Sequence, residues 1–157
     1  IIFTQKRNGL YGKVFTCYKF RSMLPNVEAD TQQAYNEDPR ITPLGHFLRV
    51  TSLDELPQFW NVLKGDMSVV GPRPHMLIHT EQYCDIIPEY NKRLIVKPGI
   101  TGWAQVTGFR GETRELEDME GRVKADIWYM EHWSFLLDLY IMYKTVANAL
   151  HKDKQAY

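Results

Sequence analysis

Residues 133–150, WSFLLDLYIMYKTVANAL, predict a helix that is apolar almost all round, and this helix limits how the chain can fold. Its main polar interruptions are Asp138, Lys144, Thr145 and Asn148. The segment is too short and too interrupted to predict a membrane span. For an isolated soluble domain a buried core helix is favoured. A helix at a membrane interface, anchored by tryptophan and tyrosine, is the alternative.

The rest of the chain mixes short strands and helices without a regular βαβ alternation. Residues 1–23 predict two strands around the turn NGLYG, and a polar loop with several prolines follows over residues 24–43. Helices are predicted at GHFLRV, TSLDELPQFWNVLKGD, residues 75–94 and residues 113–132. The pattern predicts an α+β fold: a mainly helical small domain with short strands and a glycine-rich loop.

Composition excludes several classes of protein. The formal net charge is zero, whereas a non-specific nucleic-acid binder normally carries a basic excess. Cys17 and Cys84 lack metal-ligand spacing and are too few for a disulfide framework, which favours a reducing, cytosolic setting. His75 and His79 are spaced like a helical metal pair, but no third ligand is evident, so a structural or solvent-facing role is favoured. The chain starts on a strand pattern without methionine, so residues 1–157 are expected to be one domain of a longer protein.

Asp54 and Glu55, in the stretch TSLDELPQ at residues 51–58, are adjacent carboxylates that repel each other unless something offsets their charge. The ordinary explanation is a helix start, in which Ser52 and Glu55 form a capping box and Pro57 lies in the first turn. The alternative is a site, because an aspartate can attack phosphorus, carboxylates bind Mg²⁺ and a helix start favours phosphate. On these residues alone the capping explanation is favoured.

Several basic side chains could bind phosphate oxygens, because a guanidinium group matches phosphate geometry. Arg73 differs from the others: the Gly-Pro-Arg-Pro loop fixes its backbone, which is a costly way to hold a side chain that merely contacts water. A solvated surface position is the expectation for each of the others, which are Lys19, Arg21, Arg40 and Arg49.

The glycine-rich stretch KPGITGWAQVTGFRG permits close approach of a ligand to the backbone. Thr101 and Gln105 offer hydrogen bonds to such a ligand, and Trp103 or Phe109 could stack on a base or a sugar ring. A glycine-rich turn packed around a core tryptophan explains the same pattern equally well. The stretch is not a P-loop and contains no dinucleotide-binding glycine motif.

Three motifs, in this order, resemble the bacterial sugar transferases, which are the monotopic phosphoglycosyl transferases or polyprenyl-phosphate hexose-1-phosphate transferases. They are KFRSM at 19–23, DPRITPLGHFLRVTSLDELPQFWNVLKGDMSVVGPRP at 38–74, and KPGITGWAQVTGFRGET at 97–113. The resemblance extends over nearly the whole chain. The PRPH and GWAQVTGFRGET stretches look most like the branch that includes undecaprenyl-phosphate glucose phosphotransferases.

The resemblance implies transfer of a hexose-1-phosphate from a UDP-sugar to undecaprenyl phosphate with release of UMP, a step that initiates exopolysaccharide or capsule assembly. Asp54 matches the family's nucleophile, which forms a covalent phosphosugar intermediate, and Glu55 is its partner in the dyad. Asp54 and Glu55 are also the candidate ligands for Mg²⁺, the implied cofactor. Glucose is the expected sugar, ahead of galactose or an N-acetylated sugar.

The resemblance also implies roles for the basic and polar residues of the motifs. The positions that match phosphate-handling or basic motifs are Arg49, Arg73, Lys19 and Arg21. The positions in the motif expected to bind the nucleotide sugar are Gln105, Arg110 and Thr101.

Members of the family carry an N-terminal membrane segment, re-entrant in this family, before the position that corresponds to IIFTQKR. The resemblance therefore implies that apolar helices hold the domain on the cytoplasmic face of a bacterial inner membrane, and it shifts residues 133–150 toward an interfacial role. It predicts no nucleic-acid partner and leaves a homo-oligomer open. Two other functions also stay open: a soluble Mg²⁺-dependent nucleotide-sugar phosphohydrolase, and a non-catalytic assembly module.

Overall fold

A computed structural model describes residues 1–151 and begins with a β-hairpin. Strand β1 (Ile2–Asn8) runs antiparallel to β2 (Val14–Phe20), with Gln5 opposite Cys17. The two strands are joined through a 3-10 turn at Leu10–Gly12, so the connection is longer than two residues, as predicted. Because residues that face each other across an antiparallel pair share one face, alternate side chains of both strands point to the same side.

Helix α1 (Pro43–Val50) packs against the end of β2. It begins at Thr42, whose hydroxyl accepts a hydrogen bond from the Gly45 N–H at 2.9 Å. A Cβ at Gly45 would lie 1.8 Å from the Ser22 carbonyl oxygen, so only glycine allows this contact. The close approach brings the last turn of α1, which carries Arg49, to the end of the hairpin.

The prediction of a helix that starts at Ser52 is wrong. Leu53–Glu55 form a single 3-10 turn, and α2 (Gln58–Lys64) begins only after it. Ser52 adopts a left-handed conformation with φ 59° and does not cap the turn, because its hydroxyl accepts a hydrogen bond from Arg110 Nη2 at 2.5 Å. The predicted capping box is therefore absent from this turn, whereas Gly65 ends α2 in a left-handed conformation, as predicted.

A second, very small sheet supports the loop that carries Arg73. Strands β3 (Ser68–Val70) and β4 (Gly99–Thr101) pair in parallel. A Cβ at Gly99 would lie 2.1 Å from the Gly71 nitrogen, so the glycine lets the loop after β3 lie directly against β4. The glycine-rich stretch also contains the one-turn helix α4 (Trp103–Val106), which the sequence did not predict.

Helices make up most of the remaining chain. The helix predicted over residues 75–94 is broken near Pro88, as expected, into α3 (Leu77–Tyr83) and a 3-10 helix at Tyr90–Ile95. The two long helices that follow are α5 (Leu116–Glu131) and α6 (Phe135–Leu150). Together with the two small sheets, these helices confirm the predicted α+β class with mainly helical content.

Over residues 1–151 the core consists of three small hydrophobic clusters rather than one large one. One lies between α5 and the segment after α3, one under the hairpin, and one between the small sheet, α5 and α6. Their buried members are Ile87, Tyr90, Met119 and Val123; Phe15, Cys17 and Met67; and Val70, Tyr129 and Ile141.

The buried core helix that the residues alone favoured over 133–150 is wrong, and the interfacial role that the resemblance implied stays a prediction. Within α6 only Ile141 is fully buried, because one face of the helix packs on α4, β3 and β4 and the opposite face has no described element over it. The large exposed side chains of α6 are Phe135, Leu136, Leu139, Tyr140, Tyr143, Val146 and Leu150. Over residues 1–151, no helix combines the length and the apolar character that crossing a bilayer requires.

Candidate active site

A cavity of about 880 Å³ collects the residues that the sequence proposed for a site. The hairpin, α1, the 3-10 turn, the loop after β3, the glycine-rich stretch and α6 all contribute to its lining. The predicted site residues that line it are Asp54, Glu55, Lys19, Arg21, Arg49, Arg73, Thr101, Gln105 and Arg110. The structure thus brings every predicted site residue to one cavity.

The cavity is strongly cationic although the chain as a whole carries no net charge. Its only carboxylates, in the part of the chain that the structure describes, are Asp54 and Glu55. The basic side chains in its lining are Arg7, Lys19, Arg21, Arg40, Arg49, Arg73, Arg110 and Arg122. Such an excess of positive charge in a concave site attracts a ligand with several negative charges.

Glu55 is held as an anion by two cations. Arg73 Nη2 donates to Glu55 Oε1 at 2.6 Å, and Lys19 Nζ donates to the same oxygen at 3.1 Å. Arg73 Nη1 donates to the second oxygen at 3.4 Å. Burial alone would raise the pKa of Glu55, but the charges and hydrogen bonds of Arg73 and Lys19 outweigh burial and hold that pKa well below 4.5.

Asp54, by contrast, is a buried carboxylate that receives no hydrogen bond from any residue in the described range 1–151. Burial raises its pKa above the ordinary 3.8, and the neighbouring charge of Glu55 adds to the rise. Lys19 and Arg49 act in the opposite direction. Asp54 is therefore the member of the dyad whose oxygens are available to a ligand.

Arg49 and Arg110 flank the turn that carries the dyad. Arg49 Nε donates to Ser22 Oγ at 2.9 Å. Arg110 Nη2 donates to the Ser52 hydroxyl at 2.5 Å and to the Arg49 carbonyl at 3.5 Å. Arg49 is near enough for its charge to lower the pKa of Asp54. The left-handed residue at position 52 therefore serves as an anchor for Arg110 and not as a helix cap.

Arg21, Thr101 and Gln105 line the cavity and, like Arg49 and Arg110, make no hydrogen bond to the dyad within the described chain. The Arg21 guanidinium lies over the Phe3 ring, 5.9 Å from its centre. The Thr101 hydroxyl shares a hydrogen bond with Thr145 of α6 at 2.6 Å and thus ties β4 to that helix. The roles proposed for Arg21, Thr101 and Gln105 in substrate binding stay predictions.

The aromatic rings of the glycine-rich stretch are used inside the protein. Trp103 stacks on Trp128 with ring centres 4.5 Å apart. Phe109 packs against α5, where a Cβ at Gly121 would lie 2.3 Å from its ring. Neither ring belongs to the cavity lining formed by residues 1–151. The alternative of a packed glycine-rich turn is therefore the one that the structure favours.

Sequence reasoning missed two arginines of the cavity. Arg7 donates to the Pro74 carbonyl at 3.1 Å and to Gln5 Oε1 at 2.5 Å. Arg122 Nη2 donates to the carbonyls of Phe109 and Gly111 at 2.9 and 3.0 Å. Strand alternation gave a signal for the first, because residues 5 and 7 are polar and share the hairpin's inner face. For the second, the signal was an arginine within the buried face of α5.

The placement of both His75 and His79 on one helix is wrong, because His75 lies before α3 begins. His75 Nδ1 and the Tyr90 hydroxyl share a hydrogen bond of 2.5 Å, and the two histidine rings meet edge to face with centres 6.3 Å apart. Within residues 1–151 no three His, Cys, Asp or Glu side chains form a metal-binding group. Burial, reinforced by nearby arginines, lowers the pKa of His79 to about 4 and that of His75 well below 6.5.

These histidines predict a loss of stability in mild acid. The unfolded chain binds their protons below pH 6.5, whereas the folded protein keeps His79 neutral until about pH 4. Protonation of these histidines therefore does not affect the free energy of unfolding above pH 6.5. As the pH falls to 4, that free energy decreases by about 3 kcal/mol for His79 alone, since one pKa unit is worth about 1.4 kcal/mol. In urea unfolding across this pH range, the free energy of unfolding of His79→Asn should depend less on pH than that of the wild type. Gln82→Asn, an exposed change on the same helix, should keep the wild-type slope.

Comparison with known proteins shows the family to which the chain belongs. The family model described as bacterial sugar transferase matches residues 1–152. A UDP-glucose:undecaprenyl-phosphate glucose-1-phosphate transferase of Escherichia coli (strain K12) is 55% identical over 100% of this chain, which covers 34% of that protein. A transferase of the same name from Caulobacter vibrioides is 47% identical over 97% of the chain and 57% of its own length.

A third relative has a different sugar in its name. The undecaprenyl-phosphate galactose phosphotransferase of Salmonella typhimurium is 43% identical over 97% of this chain and 34% of its own length. The chain thus spans about a third to somewhat over half of the length of these curated relatives. Because the family model matches almost the whole chain and the cavity gathers the motif residues, the chain belongs to the bacterial sugar transferase family.

Proposed function

We propose that this domain transfers a hexose-1-phosphate from a UDP-sugar to undecaprenyl phosphate and releases UMP, through a covalent intermediate on Asp54. The observation that carries the proposal is the pairing of an available buried carboxylate at Asp54 with the cationic cavity around it. The relatives named for UDP-glucose support glucose as the first sugar to test, and the relative named for galactose supports that sugar as the second.

In the first step, an Asp54 oxygen attacks the β-phosphorus of the UDP-sugar. The new bond joins this oxygen to phosphorus, and the bond from that phosphorus to the oxygen bridging the two phosphates breaks, so UMP leaves with the bond's electron pair. Arg49, Arg110 and Lys19 lie where they can offset the charge of the two phosphates. A carboxylate made reactive by poor solvation can then approach phosphorus.

In the second step, a phosphate oxygen of undecaprenyl phosphate attacks the phosphorus held on Asp54. The bond to the Asp54 oxygen breaks, and the free carboxylate is restored together with the new diphosphate. A polyprenyl chain needs an apolar surface beside the anionic site, and the cavity provides one. Its apolar lining includes Leu53, Leu56 and Phe59 beside the dyad, and Met142, Val146 and Leu150 from α6.

We propose Mg²⁺ as the cofactor, with Asp54 as its protein ligand. Mg²⁺ is commonly held by one or two carboxylates together with substrate phosphates, so a single available carboxylate in a phosphate site fits the ion. The oxygens of Glu55 already accept from Arg73 and Lys19, so Glu55 fits less well as a direct ligand. When bound, the ion would offset charge on the phosphate oxygens.

We also propose that the domain lies on the cytoplasmic face of a bacterial inner membrane. The support is a second set of exposed apolar side chains next to the cavity, beyond those of α6. They are Leu44, Phe47, Leu56, Phe59, Trp60 and Leu63, from α1, the 3-10 turn and α2. Exposed apolar surface of this extent marks an interaction site, and a lipid acceptor has to be met at a membrane surface.

The membrane surface predicts a loss of vesicle binding when this set is made polar. Trp60→Ser combined with Leu63→Ser should weaken binding of the chain to phospholipid vesicles by about tenfold or more. Each large apolar side chain contributes about 1.5–3 kcal/mol when it is fully buried, and 1.4 kcal/mol is tenfold in affinity. Vesicle flotation measures the effect. Tyr11→Ser removes an aromatic ring that is more exposed than Trp60 and lies at the hairpin end, and it should leave binding unchanged.

An acceptor-dependence assay tests the proposed reaction against the phosphohydrolase. The protein in nanodiscs, with Mg²⁺, should release about one UMP per protein molecule from UDP-glucose or UDP-galactose without acceptor, as Asp54 is loaded. Beyond that amount, UMP release should rise in proportion to the undecaprenyl phosphate supplied, and the lipid should gain the sugar phosphate. Steady UMP release without acceptor would favour the hydrolase. No UMP and no protein-bound sugar phosphate, with any UDP-sugar, would favour a non-catalytic module.

A further inference from the structure

The loop at residues 72–75, which carries Arg73, is anchored through four successive carbonyl groups. Its two prolines have no N–H to donate, so the loop depends on its carbonyls for hydrogen bonds to its surroundings. The donors to the carbonyl oxygens of residues 72, 73, 74 and 75 are the Gly99 N–H, Arg93 Nη2, Arg7 Nη1 and the Asn8 N–H, at 2.9, 2.5, 3.1 and 3.3 Å.

The bond to the Arg73 carbonyl comes from a buried ion pair. Arg93 and Asp126 are each almost completely inaccessible to solvent. Arg93 Nε and Nη2 both donate to Asp126 Oδ2, at 3.0 and 2.9 Å, and the same Nη2 donates to the Arg73 carbonyl at 2.5 Å. Neither residue of the pair belongs to the cavity lining in the described chain, and the hydrogen bond to the Arg73 carbonyl is their direct link to the loop.

Stability alone is a weak reason for such a pair. Removing two charges from water is costly, and replacing a buried ion pair by apolar side chains of similar size is often neutral or stabilising. A planar guanidinium that joins a carboxylate to a carbonyl does something that apolar side chains cannot do, because it fixes the direction in which the carbonyl points.

We propose that the buried Arg93–Asp126 pair positions the active site by fixing the Arg73 carbonyl, and with it the Arg73 guanidinium that holds Glu55. The chain of contacts runs from α5 through Arg93 to the loop and then to the dyad, at 2.9, 2.5 and 2.6 Å. Arg93 and Asp126 are positioning residues, because neither touches the cavity. The catalytic part of this inference rests on the proposed transferase function.

Two variants separate positioning from folding. Arg93→Lys keeps a positive charge beside Asp126 but loses the fork that reaches the Arg73 carbonyl. Arg93→Met combined with Asp126→Leu removes both charges, so it leaves no unpaired charge and should preserve the fold. Both should lower kcat for UMP release by about 10- to 100-fold, because a small misplacement far from the chemistry has effects of this size.

Donor KM should change by less than about threefold, since the cationic groups that line the cavity remain in place and a uniform binding loss would raise KM instead. In an Arg73→Lys background the paired change should add less than about threefold, because the contact through which it acts is already lost. Val123→Ala is the matched control: it creates a cavity in the core one turn away on α5 and should leave kcat per folded molecule unchanged.

Arginine side-chain NMR on the 157-residue chain provides a readout that does not need activity. The Arg73 guanidinium signals, assigned by their loss in Arg73→Lys, should show slow rotation in the wild type because two nitrogens bind Glu55. They should show fast rotation in Arg93→Met/Asp126→Leu and stay slow in Val123→Ala. If the wild type transfers no sugar phosphate, the proposed function is wrong. The NMR comparison would still test whether the Arg93–Asp126 pair positions Arg73. Unchanged Arg73 rotation, or wild-type kcat in both variants, would overturn the inference.

Discussion

Asp54→Asn should abolish sugar-phosphate transfer, with UMP release reduced by at least about a thousandfold. An amide of the same size cannot form the acyl-phosphate bond, so both steps of the reaction are lost. The same change should not harm folding. Burial raises the pKa of Asp54, so its ionised form costs stability at neutral pH, and a neutral side chain at that position removes the cost.

The expected combination is therefore an inactive protein with an equal or higher midpoint of urea unfolding. A coupled UMP assay in nanodiscs and urea titration of the same preparation measure the two quantities. Asp85→Asn changes an exposed acid outside the cavity and should keep full activity and stability. Substantial transfer by Asp54→Asn would mean that another group attacks phosphorus, or that the donor reacts directly with the acceptor.

Glu55→Gln should lower both activity and stability. The glutamine leaves Arg73 and Lys19 without the carboxylate that they share, in a site where all three side chains are mostly buried. Removing one member of a fully buried pair costs about 3–5 kcal/mol, and an exposed pair is worth less than about 1 kcal/mol, so this partly buried site should lose about 2 kcal/mol. Loss of a fixed charge beside the reacting group should lower kcat by about 100-fold or more.

The pH dependence of the same variant provides an internal check. The folded-state pKa of Glu55 lies well below 4.5, so its stabilising contribution is complete above that pH and is lost as the pH falls below it. Stability of the wild type and of Glu55→Gln should therefore converge in acid. Glu81→Gln, at an exposed position of α3, is the control. Equal stability of wild type and Glu55→Gln at pH 7 would contradict the ion-pair geometry.

Local sequence signals predicted the elements that local interactions determine. The hairpin, the break near Pro88 and the end of α2 at Gly65 depend on turn and backbone preferences that a few neighbouring residues carry. Ser52 shows where this reasoning stops. The pattern Ser-x-x-Glu has the residues of a capping box, but its serine is held by Arg110, which is 58 residues away in sequence.

The site was predicted better than the packing around it. The motif residues meet in one cavity because close glycine contacts bring α1 to β2 and the loop after β3 to β4, and those contacts are invisible in the spacing of the motifs. The Arg93–Asp126 pair joins residues 33 apart in sequence and has no local pattern at all. The residues alone favoured a buried α6, because composition tells how apolar a helix is and not what covers it, and only the resemblance indicated an interfacial role.

Intact-protein mass spectrometry is the most direct test of the covalent mechanism. The wild-type protein is incubated with Mg²⁺ and a panel of UDP-sugars, without acceptor, and its mass is compared with that of Asp54→Asn treated in the same way. We expect the wild type to gain the mass of one hexose phosphate with its preferred donor, and the variant to gain nothing. A folded wild type that turns over with acceptor present but never carries this mass would contradict a covalent intermediate on Asp54.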